Sequence, residues 1–142
     1  MKGFDIGSRR VVLIDAGPLV ASIDANDQYH PWAKSTLPRL SAEVFTCEAV
    51  IAEAGHLLEN NLRALEALHE FVRRVEIVPA LREDRNSIFA LMKRFTPRMD
   101  VADACLVSLA SRHTESIILT TDTLDFATYR VPFASPEGLF AK

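Results

Sequence analysis

The sequence predicts an α/β fold, with a mainly parallel sheet held between helix layers. Three observations carry this expectation. The runs VVLID (11–15) and SIILTT (116–121) are apolar and β-branched without polar alternation, as in strands covered on both faces. The stretches between such runs carry apolar residues at three- and four-residue spacing, which reads as helix. Strand-like and helix-like segments then alternate along the chain, the pattern of a parallel sheet with crossover helices.

The elements follow in order. After the strand at 11–15, GPLVASID (17–24) opens with Gly-Pro and reads as a short helix. A second helix falls within 27–40, with Pro31 near its first turn. EVFT (43–46) is a second strand, and Thr46 is placed to cap the next helix, in which Val50, Ile51, Ala54, Leu57 and Leu58 recur at helical spacing through residue 60. A helix at 62–72 carries Leu65, Leu68 and Val72 on one face. RVEIVP (74–79) alternates and reads as a strand, 83–95 as an amphipathic helix ended by Pro97, and 101–113 as a helix apolar almost all round, hence buried. The strand at 116–121 is followed by a short turn or helix at 124–128 and an edge strand at 131–133, where Pro132 is tolerable.

At 142 residues the chain is expected to form one domain, 1–142, with 1–10 a flexible or loosely packed segment. Its 49 % apolar content excludes disorder. The 16 basic and 19 acidic residues, a net charge of −3, exclude a globally basic nucleic-acid binder but not a local patch. The longest uncharged stretches, 16–23 and 104–111, are 8 residues, far short of the roughly 20 a membrane helix needs. The N-terminus lacks the apolar core of a signal peptide, so a cytoplasmic protein with no membrane contact is expected. Cys47 and Cys105 lie within helical segments and outside any CxxC spacing, which suits free buried thiols.

Ligand sites in open parallel sheets form beyond the carboxyl ends of the strands. Asp15 and Asp122 follow strands there. Glu53 shares a helix face with Val50 and Leu57, and Asp103 is the one charged residue between Val101 and Ser111. Each has a plain alternative. Asp15 and Asp122 suit helix caps, Asp100 and Asp103 a capping pair, and Glu53 a boundary residue reaching water. The joint pattern weighs more. Two like charges 4 Å apart repel by about 4 kcal/mol at an effective dielectric near 20. Four converging carboxylates therefore require a cation or large pKa shifts. Mg²⁺ or Mn²⁺, hard ions with oxygen ligands, resolves this and can activate water for in-line displacement at phosphorus. No GxxxxGK[ST], GxGxxG, GxSxG or HExxH motif is present. A phosphatase with a nucleophilic aspartate wants DxD after the first strand, where Gly17 stands; a phosphoacceptor receiver wants a lysine after a late strand, and LTTD offers none.

Four motifs taken in order, VVLIDAGPLVASID, TCEAVIAEAGHLL, RMDVADACLVSLASRH and ILTTDTLDFATYR, resemble the PIN-domain family, most closely the ribonuclease toxins of VapBC toxin–antitoxin pairs. The resemblance spans about 11–130. It implies a three-layer α/β/α sandwich and a Mg²⁺- or Mn²⁺-dependent endoribonuclease. Asp15, Glu53, Asp103 and Asp122 would be its catalytic acids, with Asp15, Asp103 and Asp122 at the metal. Thr121, Asp125 and Asp100 would be auxiliary, and either Asp122 or Asp125 could be the fourth acid. It further implies an RNA substrate, a homodimer and an antitoxin partner, for which the first two helices and the 62–72 helix would supply a groove. Lys93, Arg94 and Arg98, just before the Asp103 motif, are the best candidates for phosphate contacts. A PIN-like module that binds RNA or a partner without catalysis is the rival reading.

Overall fold

The parallel sheet is built outward from β1 (Val11–Ile14), which pairs with β2 (Glu43–Thr46) on one side and β4 (Ser116–Leu119) on the other. The computed structural model describes Ile6 and residues 9–141, so most of the 1–10 segment expected to pack loosely lies outside the described residues. Beyond β2 lies β3 (Glu76–Ile77), and beyond β4 lie β5 (Phe133–Ser135) and β6 (Gly138–Phe140). The order is β3-β2-β1-β4-β5-β6, parallel throughout except for the β5–β6 hairpin.

The helices are α1 (Ala16–Ile23), α2 (His30–Thr36), α3 (Glu48–Leu57), α4 (Leu62–Val72), α5 (Ala80–Arg94), α6 (Val101–Arg112) and α7 (Thr123–Tyr129). Successive strand residues point to opposite faces, so the sheet divides two cores. Leu13, Ile118 and Phe133 meet residues of α1, α3, α6 and α7 on one face. Val12, Ile14, Ile117, Leu119 and Ala134 lie on the other, covered by Trp32, Leu37, Leu40 and Phe71. This is the expected α/β/α sandwich. Apart from Val11 its two central strands are buried, which explains why β1 and β4 read as continuous apolar runs.

Several boundaries differ from the sequence reading. The helix expected within 27–40 starts at His30, and after Thr36 it tightens into a 3₁₀ turn at Leu37–Arg39, where Pro38 lacks the N–H an α-turn would use. α3 stops at Leu57 rather than 60, because Glu59 and Asn60 take left-handed conformations (φ 56° and 51°) that end the helix. Thr46 does not cap α3. Its hydroxyl donates to the Ile14 carbonyl (3.0 Å), stitching β2 to β1, and Cys47 occupies the cap position without a side-chain bond. The strand expected over 74–79 shrinks to two exposed residues. α5 begins at Ala80 and is kinked at Asp84, whose carboxylate accepts a hydrogen bond from Ser108 of α6. β5 starts at Phe133 and is internal. The edge is β6, absent from the sequence reading; Gly138 (φ 133°) opens it in a conformation only glycine adopts easily.

Ile6 packs into the second core, and Arg10 bonds to Glu115 through both backbone and side chain. Cys47 and Cys105 are free and buried. Among the described residues no helix is long and apolar enough to cross a membrane.

Candidate active site

Asp15 ends β1, where its own N–H still donates to the Leu119 carbonyl of β4 (2.9 Å). It is 7 % exposed. One carboxylate oxygen, Oδ1, accepts from the Ala16 amide at the start of α1 (2.8 Å); the other, Oδ2, accepts from the Thr120 hydroxyl (2.7 Å). Thr120 leaves β4 fully buried, and its hydroxyl in turn accepts from the Asp122 amide (3.0 Å). One short chain of hydrogen bonds thus joins the carboxyl ends of the two central strands. The cap expected of Asp15 is present, yet a capping aspartate is normally wet and this one is not.

Asp122 caps α7, accepting from the Asp125 amide (3.0 Å), and Asp100 caps α6, accepting from the Asp103 amide (2.9 Å). Asp103 stands in the first turn of α6, and its Oδ2 accepts from the Tyr129 hydroxyl at the end of α7 (2.7 Å). Glu53 is half-buried in the middle of α3.

The electrostatics tie these groups together. Burial raises the Asp15 carboxyl to about 6, aided by the charges of Asp100 and Asp122 and opposed by its bonds from Thr120 and Ala16. Burial, then the charges of Asp15 and Asp100, raise Glu53 to about 7. Asp103 rises to about 8 through burial and the charges of Asp15, Asp100 and Asp125, against the Tyr129 bond. Asp122 is exposed along one side, yet burial of its inner side and its contact with Asp125 push it up too. Four carboxyls are raised together, three of them by one another's charge, which groups them electrostatically at the carboxyl ends of β1 and β4.

The auxiliary residues divide. Asp100 belongs to the cleft. Asp125 is paired with Arg98 (2.7 Å), whereas Asp122 makes no ion pair among the described residues. The bond to Asp15 comes from Thr120, not from Thr121. The Thr121 hydroxyl lies against Gly17, where a Cβ would collide with it. Arg98 is held at the cleft's edge by its ion pair. Lys93 and Arg94 lie exposed in the last turn of α5, Arg94 over the Phe95 ring (5.1 Å). Sequence reading missed Thr120 and Tyr129. Register reveals the first, since Ile14 pairs with Leu119 and the next residues on each strand then meet. No sequence signal joins Tyr129 to Asp103, 26 positions away.

The donor set is all oxygen, the chemistry a hard divalent ion prefers. Among the described residues, no three acidic, histidine or cysteine side chains converge closely enough to form a ready-made metal cage.

A model of the PIN domain matches residues 12–131, and the chain belongs to the PIN-domain family. Among solved structures it is similar to VapC20 of Mycobacterium tuberculosis, a sarcin–ricin-loop-cleaving toxin. The TM-score is 0.72 at 18 % identity over 82 % of this chain and 94 % of that one. It also resembles VapBC-1 of nontypeable Haemophilus influenzae (TM-score 0.59, 10 % identity, 88 % and 97 % covered) and FitAcB of Neisseria gonorrhoeae (0.53, 20 %, 89 % and 98 %). At these identities the likeness is one of fold. No curated protein matches the sequence.

Proposed function

We propose that this chain is a divalent-metal-dependent endoribonuclease, the toxin of a toxin–antitoxin pair, whose catalytic acids are Asp15, Glu53, Asp103 and Asp122. The observation that carries the reading is the shared cleft: four carboxyls from four elements, each held above its ordinary pKa by burial and most by one another. A cation lowers the cost of keeping them ionised together. Asp15, Asp103 and Asp122 would hold Mg²⁺ or Mn²⁺. When bound, such an ion polarises the scissile phosphate and makes water a better nucleophile.

The chain's own groups supply the rest. Thr120 and the Ala16 amide fix both oxygens of Asp15, so its orientation is set before any ligand arrives. Glu53, half-buried beside the charges of Asp15 and Asp100, is the group to accept a proton from the attacking water. Arg98, paired to Asp125 beside the cleft, and the exposed Lys93 and Arg94 supply positive charge for the RNA backbone.

The partner reading rests on a groove of about 420 Å³ where the ends of α1, α3 and α4 meet, lined by Ile23, Leu57, Leu58, Ala64, Ala67 and Arg63. Its lining is mixed, with Asp24, Asn26 and Glu59 beside those residues, and α2, expected to share in the groove, does not line it; the exposed Leu57, Leu62 and Leu65 supply the apolar surface that an antitoxin helix would cover. A homodimer and a cytoplasmic site of action complete the proposal.

The test is cleavage of a mixed-sequence RNA panel by the purified chain with Mg²⁺, with Mn²⁺ and with EDTA, beside Asp15→Asn. Metal-dependent cutting that the folded variant lacks is the expected result. Equal cutting by the variant overturns the assignment of Asp15; no cutting and no metal binding favours a module that binds without catalysis.

A further inference from the structure

Among the described residues two hydroxyls bond the acids of the cleft, each holding one oxygen of one acid. Thr120 holds Asp15 from the neighbouring strand, as the register of β1 on β4 requires. Tyr129 holds Asp103 from a different element, the last turn of α7. Its ring is 5 % exposed and is clamped edge-on by Phe95 (5.2 Å) and by Phe126 (5.1 Å). The clamp joins the C-terminus of α5 to α7, so the hydroxyl has little freedom to swing.

A phenol has one proton to donate. Two acceptors stand near it, the Asp103 Oδ2 at 2.7 Å and the Arg98 carbonyl at 3.4 Å. The shorter bond, to the Asp103 oxygen, takes the proton. Asp103 receives no other side-chain hydrogen bond from the described residues. Its Oδ1 is therefore uncommitted, whereas both oxygens of Asp15 are engaged. Without Tyr129 the Asp103 carboxylate could turn about its last torsion, which is soft for an aspartate. With it, one oxygen is pinned and the other is left for the cleft.

We infer that Tyr129 is a positioning residue, whose hydroxyl fixes the rotamer of Asp103 so that Oδ1 is presented to a divalent ion and the RNA phosphate it serves. This rests on the nuclease reading above. Partners that orient ligands in this way are typically worth about 10–100-fold in metal affinity or activity.

Tyr129→Phe removes the hydroxyl and keeps the ring that Phe95 and Phe126 clamp. Mn²⁺ binding, followed by the loss of the free-ion electron paramagnetic resonance signal on titration, is compared for wild type, Tyr129→Phe and Asp103→Asn. Each is first checked for cooperative thermal unfolding. The expected result is an affinity about tenfold or more weaker in Tyr129→Phe, in the direction of Asp103→Asn, with kcat on a short RNA reduced and KM little changed. A tyrosine that only fills space would lower Tm and leave Mn²⁺ affinity and kcat alone, and that outcome overturns the role. If the wild-type chain itself binds no Mn²⁺, the nuclease reading fails and the positioning role falls with it. Binding by wild type and Tyr129→Phe alike removes only the role of Tyr129.

Discussion

Asp15 joins a structural role to the chemical one proposed for it. It caps α1 through Oδ1 and is held by Thr120 through Oδ2, in a place where water does not compete. A rise from 3.8 to about 6 corresponds to about 3 kcal/mol of penalty on the ionised form, an order of magnitude that Thr120 already reduces. Thr120→Val keeps the shape and removes the donor, leaving a buried carboxylate oxygen unpartnered. At pH 8, where Asp15 is ionised, thermal unfolding should show a loss of about 1–3 kcal/mol, and Thr120→Ser should recover most of it. Near pH 5, where Asp15 is protonated, the gap between Thr120→Val and wild type should narrow. A gap independent of pH would mean that Thr120 matters for packing alone.

Among the elements, three helices begin on a side chain that accepts from the third residue on: Asn61 for α4, Asp100 for α6 and Asp122 for α7. Only the last two open into the cleft, and each caps with Oδ1. The sequence supports both a capping role and a site role for these aspartates; the structure shows the caps, and the proposed site role falls on the same groups. Asn61 isolates the capping contribution, since it lies beyond the far end of α3 and its side chain bonds the Ala64 amide (3.2 Å) and no other described residue. Asn61→Ala should cost about 1 kcal/mol in chemical denaturation. RNA cleavage should be unchanged, and a parallel loss of cleavage would tie α4 to the cleft in a way its contacts do not suggest.

For the whole molecule, the acidic cleft couples stability to pH and to cations. In the unfolded chain these carboxyls ionise near pH 4. In the folded one Asp15, Glu53 and Asp103 do so near 6, 7 and 8. Between those values the folded state binds more protons, so its stability falls as pH rises through about 4 to 8. In EDTA, Tm should therefore be lower at pH 8 than at pH 5.5. Millimolar Mg²⁺ or Mn²⁺ should restore it at pH 8 and do little at pH 5.5, because an ion that binds the folded state alone stabilises it. Differential scanning fluorimetry on a pH-by-metal grid reads both; a Tm insensitive to cations at pH 8 would speak against a metal in the cleft.

The amino-acid sequence alone determined the layered α/β class, the two central strands and the acids at their ends. Buried strands must be apolar on both faces, and a carboxylate after such a run stands where parallel sheets form their sites, though it also suits a helix cap. It also carried the family, because four short motifs keep their order whatever the fold does between them. Weak elements escaped it: β3 and β6 are two and three residues long, too short for a periodic signal, and pairing rather than propensity makes them strands. Only the tertiary structure decided that Thr120 rather than Thr121 faces Asp15, that Arg98 takes Asp125, and that Tyr129 reaches Asp103. The physical reason is the same in each case. Those contacts follow from strand register and from the docking of α7 against α6, and a period of two or 3.6 residues within one element carries no information about its alignment with another.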